Sequence, residues 1–102
     1  DVLSSNNSLA VEMFVNKIKK YIGSYYSLMN GLDLLVFSGA IGFNSSIIRK
    51  KICKNMNSLN IFIDDEKNSL NNTFINYNNS KVKILIVDSD ESSEIYFRSS
   101  KF

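Results

Sequence analysis

Histidine is absent from this 102-residue chain, and cysteine occurs once, at Cys53. A single thiol permits no internal disulfide, fits a reducing compartment and leads us to expect a cytoplasmic protein. Without histidine or a second cysteine, the ligand set that zinc usually takes is missing, which argues against a zinc site. Charge of one sign is scarce as well. Twelve Lys plus Arg against ten Asp plus Glu leave a net charge of +2, too little to make nucleic acid the main partner. No apolar run approaches the roughly 20 residues that cross a bilayer, so no membrane partner is expected. The chain also opens on Asp1 without a methionine or an apolar signal segment, and is read as a piece of a longer product. Its length allows one domain and one modest core, burying about two-thirds of the unfolded surface.

What is present alternates helix with strand and shows no internal repeat, which points to an α/β fold. From Ser8 to Asn30, Val11, Val15, Ile18, Ile22, Tyr25 and Met29 recur at spacings of four and three, the stripe of an amphipathic helix closed by Asn30-Gly31. Met13, Phe14, Tyr21, Tyr26 and Leu28 flank that stripe, so part of the apolar face is expected to stay uncovered in this chain alone. A second helix is expected from Ser45 to about Leu59, with Ile48, Ile52, Met56 and Leu59 on one side. The cluster Arg49-Lys50-Lys51-Lys54 reads as its solvated face. Ile61-Phe62-Ile63 reads as a short strand, Asp64 to about Ser69 as a turn or helical turn, and Thr73 to Tyr77 as another short strand. Val82 to Val87 is a strand. Asp88 to Glu94 is expected to open a last helix through Ile95, Tyr96 and Phe97. The sequons at Asn71 and Asn78 lie in an asparagine-rich stretch and read as accidents of composition.

Two segments carry chemical content. The first is Leu32-Asp33-Leu34-Leu35-Val36-Phe37-Ser38-Gly39-Ala40-Ile41-Gly42-Phe43-Asn44-Ser45. It reads as a strand covered on both faces, a glycine turn and a helix start capped by Asn44. Free amides and the positive end of the helix dipole at such a turn favour an anion or polar ligand. The same pattern also occurs without any ligand, and Phe43 could instead staple onto Ile48 across the Asn44 cap. The second segment is Asp88-Ser89-Asp90-Glu91, three carboxylates after a strand. These are the oxygen donors that hard divalent cations take, while an Asp with Glu three residues on is equally a helix-capping arrangement.

Taken in order, these segments together with Lys19 to Tyr25, Gly31-Leu32-Asp33, Arg49 and Asp64-Asp65-Glu66-Lys67-Asn68 resemble the C-terminal end of the acetate kinase (acetokinase) family. The resemblance covers nearly the whole chain but only about the last quarter of a family member. It therefore implies a single partial domain over residues 1–102. The implied fold is the actin, sugar-kinase and Hsp70 class of ATPase lobes, RNase H-like, with strands flanked by helices. The implied reaction transfers the γ-phosphoryl of ATP to acetate with Mg2+. ATP and acetate would be partners of the complete enzyme, with an upstream lobe lying outside this chain and room for a homodimer.

Residue by residue, the family's nucleotide-side motif Gly-Gly-Ile-Gly-Glu-Asn falls on Gly39, Ala40, Ile41, Gly42, Phe43 and Asn44. Its Pro-Thr-Asn-Glu-Glu motif falls on Asp88 to Ser92, so Glu91 matches the acid associated with magnesium. The departures are Ala40 for glycine, Phe43 for glutamate, Asp88 for proline and Ser92 for the second glutamate. In the family the acetate site and the catalytic Arg and His residues come from upstream, so none of this chain's residues is assigned as catalytic and the segment alone is not expected to turn over substrate. Two alternatives stay open: a degenerate, noncatalytic remnant or interaction module, and a related propionate or butyrate kinase.

Overall fold

The computed structural model describes residues 8–39, 45–87 and 94–98. Helix α1 (Ser8–Leu28) buries Val15 and Ile22 and rests Val11, Phe14, Ile18, Tyr26 and Met29 against the same core. Tyr25, expected on the inner stripe, is exposed, and Tyr26 takes the inward place beside it. Leu9, Met13, Tyr21 and Leu28 stay exposed on the outer side, as the breadth of the apolar face implied. The helix stops where Asn30 and Gly31 take positive φ of 57° and 112°. There the Gly31 amide donates back to the Tyr26 carbonyl at 2.8 Å, satisfying a terminal acceptor as a left-handed cap does.

Strand β1 (Leu34–Ser38) is the middle of a three-stranded sheet of order β2-β1-β3. Strand β2 (Lys83–Val87) runs parallel to it and strand β3 (Glu94–Arg98) antiparallel. Leu35 and Phe37 of β1 sit in register with Ile84 and Ile86 of β2, and all four are buried on one face. Leu34, Val36 and Leu85 on the other face are only half-buried, so the strand read as covered on both faces is fully covered on one and half-covered on the other. Period-two alternation explains this, because successive side chains leave opposite faces.

Strand β3 corrects the expected last helix. Ile95-Tyr96-Phe97 suits a pleated surface, and pairing with β1 outweighs the capping pattern of the acids before it. The expected strands at Ile61–Ile63 and Thr73–Tyr77 reduce to isolated bridges, Ile63 with Asn76 and Phe74 with Leu85. They still extend the sheet beyond β2: the Ile75 amide donates to the Ile84 carbonyl, and the Tyr77 amide to the Phe62 carbonyl, both at 2.9 Å.

The second helix is shorter than its periodicity implied. Helix α2 (Ser46–Cys53) ends at Lys54, where the backbone turns extended, and Asn55 follows at φ 60°. A separate 3-10 turn covers Asn57–Leu59, closed by Asn60 at φ 64°. A short helix α3 (Asp65–Ser69) follows where a turn or helical turn was expected, capped by Asp64, whose side chain accepts from the Lys67 amide at 3.1 Å. Helices α1 and α2 pack together, and α2 packs on α3. Ile48, Ile52, Cys53 and Met56 close the core over Ile61, Ile75 and Val82.

Candidate functional site

Both chemically marked segments leave the sheet at one end. Ser38, the last residue of β1, pairs with Val87, the last of β2, and with Glu94, the first of β3. The chain leaves β1 into Gly39, and it leaves β2 after Val87 to re-enter at Glu94 on the opposite side of Ser38. Two strand spacings separate those edges, about 10 Å, which the six intervening residues span easily. Gly39 is buried and takes φ of 68°, a left-handed conformation that glycine adopts without a steric penalty. Ala40, Ile41, Gly42, Phe43 and Asn44 lie outside the described residues, as do Asp88, Ser89, Asp90 and Glu91.

The chain is described again from Ser45, which is the N-cap of α2 in place of the expected Asn44. Its φ and ψ of −129° and 79° are non-helical, its side chain makes no capping bond, and its carbonyl accepts the first helical bond from the Arg49 amide at 3.1 Å. This cap puts Asn44 at the preceding position and Arg49 at the fourth helical one. Phe43, expected to staple onto Ile48, lies outside the described residues. An unused cap side chain leaves the first-turn amides of α2 to be satisfied from outside the helix.

Arg49 overturns the solvated-face reading. Lys50, Lys51 and Lys54 are exposed, but Arg49 is fully buried. Its Nε donates to Asn68 Oδ1 at 2.7 Å, and its Nη2 to the Asn68 carbonyl at 2.9 Å and to Asn71 Oδ1 at 2.6 Å. Asn68, also buried, donates from Nδ2 to the Ser46 carbonyl at 2.8 Å. Burial lowers the pKa of the guanidinium, which nevertheless stays cationic at neutral pH. Cys53 lies one turn further along, and burial pushes its thiol up to about 12.

Asparagine thus carries structure that its abundance disguised. Asn71, at φ 53°, is a ligand of the buried guanidinium, and Asn78 Oδ1 accepts from Lys67 Nζ at 2.9 Å. A signal for Arg49 was present: residues 48, 49, 52, 53 and 56 form one helical stripe, and Arg49 is its one charged member.

Among the described residues, no three metal-ligating side chains cluster, and no helix is long and apolar enough to cross a membrane. An open groove is lined by Glu12 and Lys19 of α1 together with Lys51 and Lys54 at the C-terminal end of α2.

The acetokinase family pattern matches residues 2–96. A propionate kinase of Citrobacter freundii is 45% identical over 84 residues, covering 82% of this chain and 21% of that protein. Acetate kinase 1 of Latilactobacillus sakei is 44% identical over 87 residues, covering 83% and 22%. The crystal structure of a propionate kinase from Francisella tularensis superposes with a TM-score of 0.72 at 41% identity, covering 80% of this chain and 21% of that one. The chain therefore spans about a fifth of the length of the relatives it matches.

Proposed function

Because this chain belongs to the acetokinase family, we propose that it is the C-terminal segment of an ATP-dependent short-chain carboxylate kinase and supplies part of the nucleotide side of its cleft. The observation that carries this reading is the shared register of Val87 and Glu94 with Ser38, which sends the 39–44 turn and the 88–93 connection from the same end of the sheet. In open α/β sheets, ligands bind beyond the carboxyl ends of the strands. Here β1 and β2, which are parallel, present their carboxyl ends together.

In this reading Gly39, Ala40, Ile41, Gly42, Phe43 and Asn44 form the turn beside the nucleotide. Gly39 takes the left-handed conformation at the exit of β1, and the first turn of α2, where the Ser45 side chain makes no capping bond, would offer amide donors to an anionic or polar group. Glu91 supplies one carboxylate. A single acid suffices for magnesium that arrives with ATP and keeps several of its waters, so the oxygen donors of residues 88–91 fit that ion. Bound magnesium supplies charge neutralisation on the transferring phosphoryl group. The residues that hold the acceptor and move charge in the reaction belong to an upstream lobe, and no residue of this segment is assigned as catalytic.

The acceptor reading widens from acetate. Propionate and acetate kinases match at 45% and 44% identity, and the Francisella structure is also a propionate kinase. We therefore place propionate ahead of acetate. The departures at Ala40 and Phe43 favour a second reading, a remnant that keeps the fold without transfer.

The test is acyl phosphate formation by the full-length protein with ATP, trapped as hydroxamate, with acetate, propionate and butyrate in parallel. Transfer to propionate at least equal to that to acetate supports the reading. Absence of transfer to all three, in a folded protein, favours the remnant.

A further inference from the structure

The open groove between helices α1 and α2 has a volume of about 480 Å3, within the size range of small-molecule sites. Spacings of four and three set Glu12, Asn16 and Lys19 on one face of α1, which forms the first wall. Lys51 of α2, with Lys54 and Asn55 just past its end, forms the second. Lys19 Nζ donates to the Lys54 carbonyl, so one ammonium group is held in place and ties the two walls together. Lys51 and Lys54 are exposed. Lys50, their neighbour on α2, pairs with Asp65 at 3.7 Å, whereas among the described residues Lys51 and Lys54 form no ion pair. Glu12 is the one carboxylate of the lining, and it forms no ion pair among the described residues either. Ammonium groups gathered in one groove repel one another, and a bound anion relieves that repulsion.

The donors select the kind of anion. A guanidinium fork matches a planar carboxylate, but Arg49 of α2 is fully buried and turned to Asn68 and Asn71. The groove offers instead lysine point charges, each with three donors, and the side-chain amides of Asn16 and Asn55. Such donors, arriving from two walls, suit oxygens that radiate from a tetrahedral centre.

We propose that the α1–α2 groove binds a phosphate-type polyanion, with pyrophosphate as its simplest form, held by Lys19, Lys51 and Lys54. None of the lining residues belongs to the sheet or to residues 39–44 and 88–93. The site is therefore independent of the nucleotide-facing reading and does not rest on it.

The test is acylation of lysine amines in the full-length protein, read residue by residue by mass spectrometry, with pyrophosphate added at constant ionic strength and without magnesium or nucleotide. Protection is read whether or not the protein transfers phosphoryl groups. At several times its Kd, pyrophosphate slows acylation of Lys51 and Lys54 about fivefold or more, and leaves the exposed Lys50 and Lys81 within about twofold. Glu12→Gln removes the opposing charge and lowers the half-protecting concentration about threefold. Protection of all four lysines alike, or of none, overturns the site. A half-protecting concentration that stays unchanged or rises in Glu12→Gln overturns the placement of the anion between these walls. Equal protection by an oligoglutamate peptide of matched charge overturns the phosphate assignment and makes the groove a docking surface for an acidic chain.

Discussion

Val87 and Glu94 face each other across Ser38, one closing the parallel strand on its left and the other opening the antiparallel strand on its right. This relationship brings the end of β1, the end of β2 and the start of β3 to a common end of the sheet. The chain therefore passes from one edge of β1 to the other between Val87 and Glu94.

Gly23 lies within α1, and a Cβ built there has no neighbour within 4 Å. Gly23→Ala should therefore raise stability by about 0.5–1 kcal/mol, by restricting the unfolded chain without crowding the folded one. The contrast is Gly39, whose φ of 68° makes Gly39→Ala cost about 1 kcal/mol. Urea titration of both variants checks the pair, and a loss of stability at Gly23 would mean that α1 is covered there by something beyond the described contacts.

Cys53 predicts a pH dependence. Burial pushes its thiol up to about 12 from an ordinary value of 9.0. The folded state thus holds the proton more tightly than the unfolded one. This contribution is fully present below about pH 9 and is lost as pH rises toward 12, by up to about 1.4 kcal/mol per pH unit. Comparing wild type with Cys53→Ala across pH 8 to 11 isolates it: the wild-type stability should fall more steeply. The folded thiol should also resist alkylation at pH 8. Parallel curves with rapid alkylation would contradict the buried placement.

The outer side of α1 exposes Leu9, Met13 and Leu28 at 64%, 65% and 71%. In the isolated 102-residue segment, replacing all three by glutamine should change stability by less than about 0.5 kcal/mol per site, while reducing self-association in sedimentation and binding of a hydrophobic dye. A loss above about 2 kcal/mol in total would show that these side chains pack within this segment.

The legible parts of the fold were those encoded locally. Helix α1 follows from apolar spacings of three and four, its end from Asn30-Gly31, β2 from the Val82 to Val87 run, and α3 from the Asp64 to Ser69 helical turn. The illegible parts depend on distant partners. Ile95-Tyr96-Phe97 becomes a strand because β1 lies beside it, some sixty residues earlier in the chain. Arg49 is buried because Asn68 and Asn71, 19 and 22 residues away, satisfy its donors, and no helix-local pattern names those partners. Of the site, Gly39 takes the positive φ that a turn glycine allows, while residues 40–44 and 88–93 lie outside the described residues. That the 39–44 and 88–93 segments share one end of the sheet follows from strand order, which the motifs do not encode.

The measurement that bears most directly on the account is ATP- and magnesium-dependent acyl phosphate formation from propionate by the full-length protein, wild type against Glu91→Gln. The Gln variant keeps the shape of the side chain and removes its charge. The account predicts transfer by the wild type and a fall in kcat of about a hundredfold or more in Glu91→Gln, with the urea midpoint unchanged. Transfer by Glu91→Gln at the wild-type rate would contradict the proposal that Glu91 supports the metal.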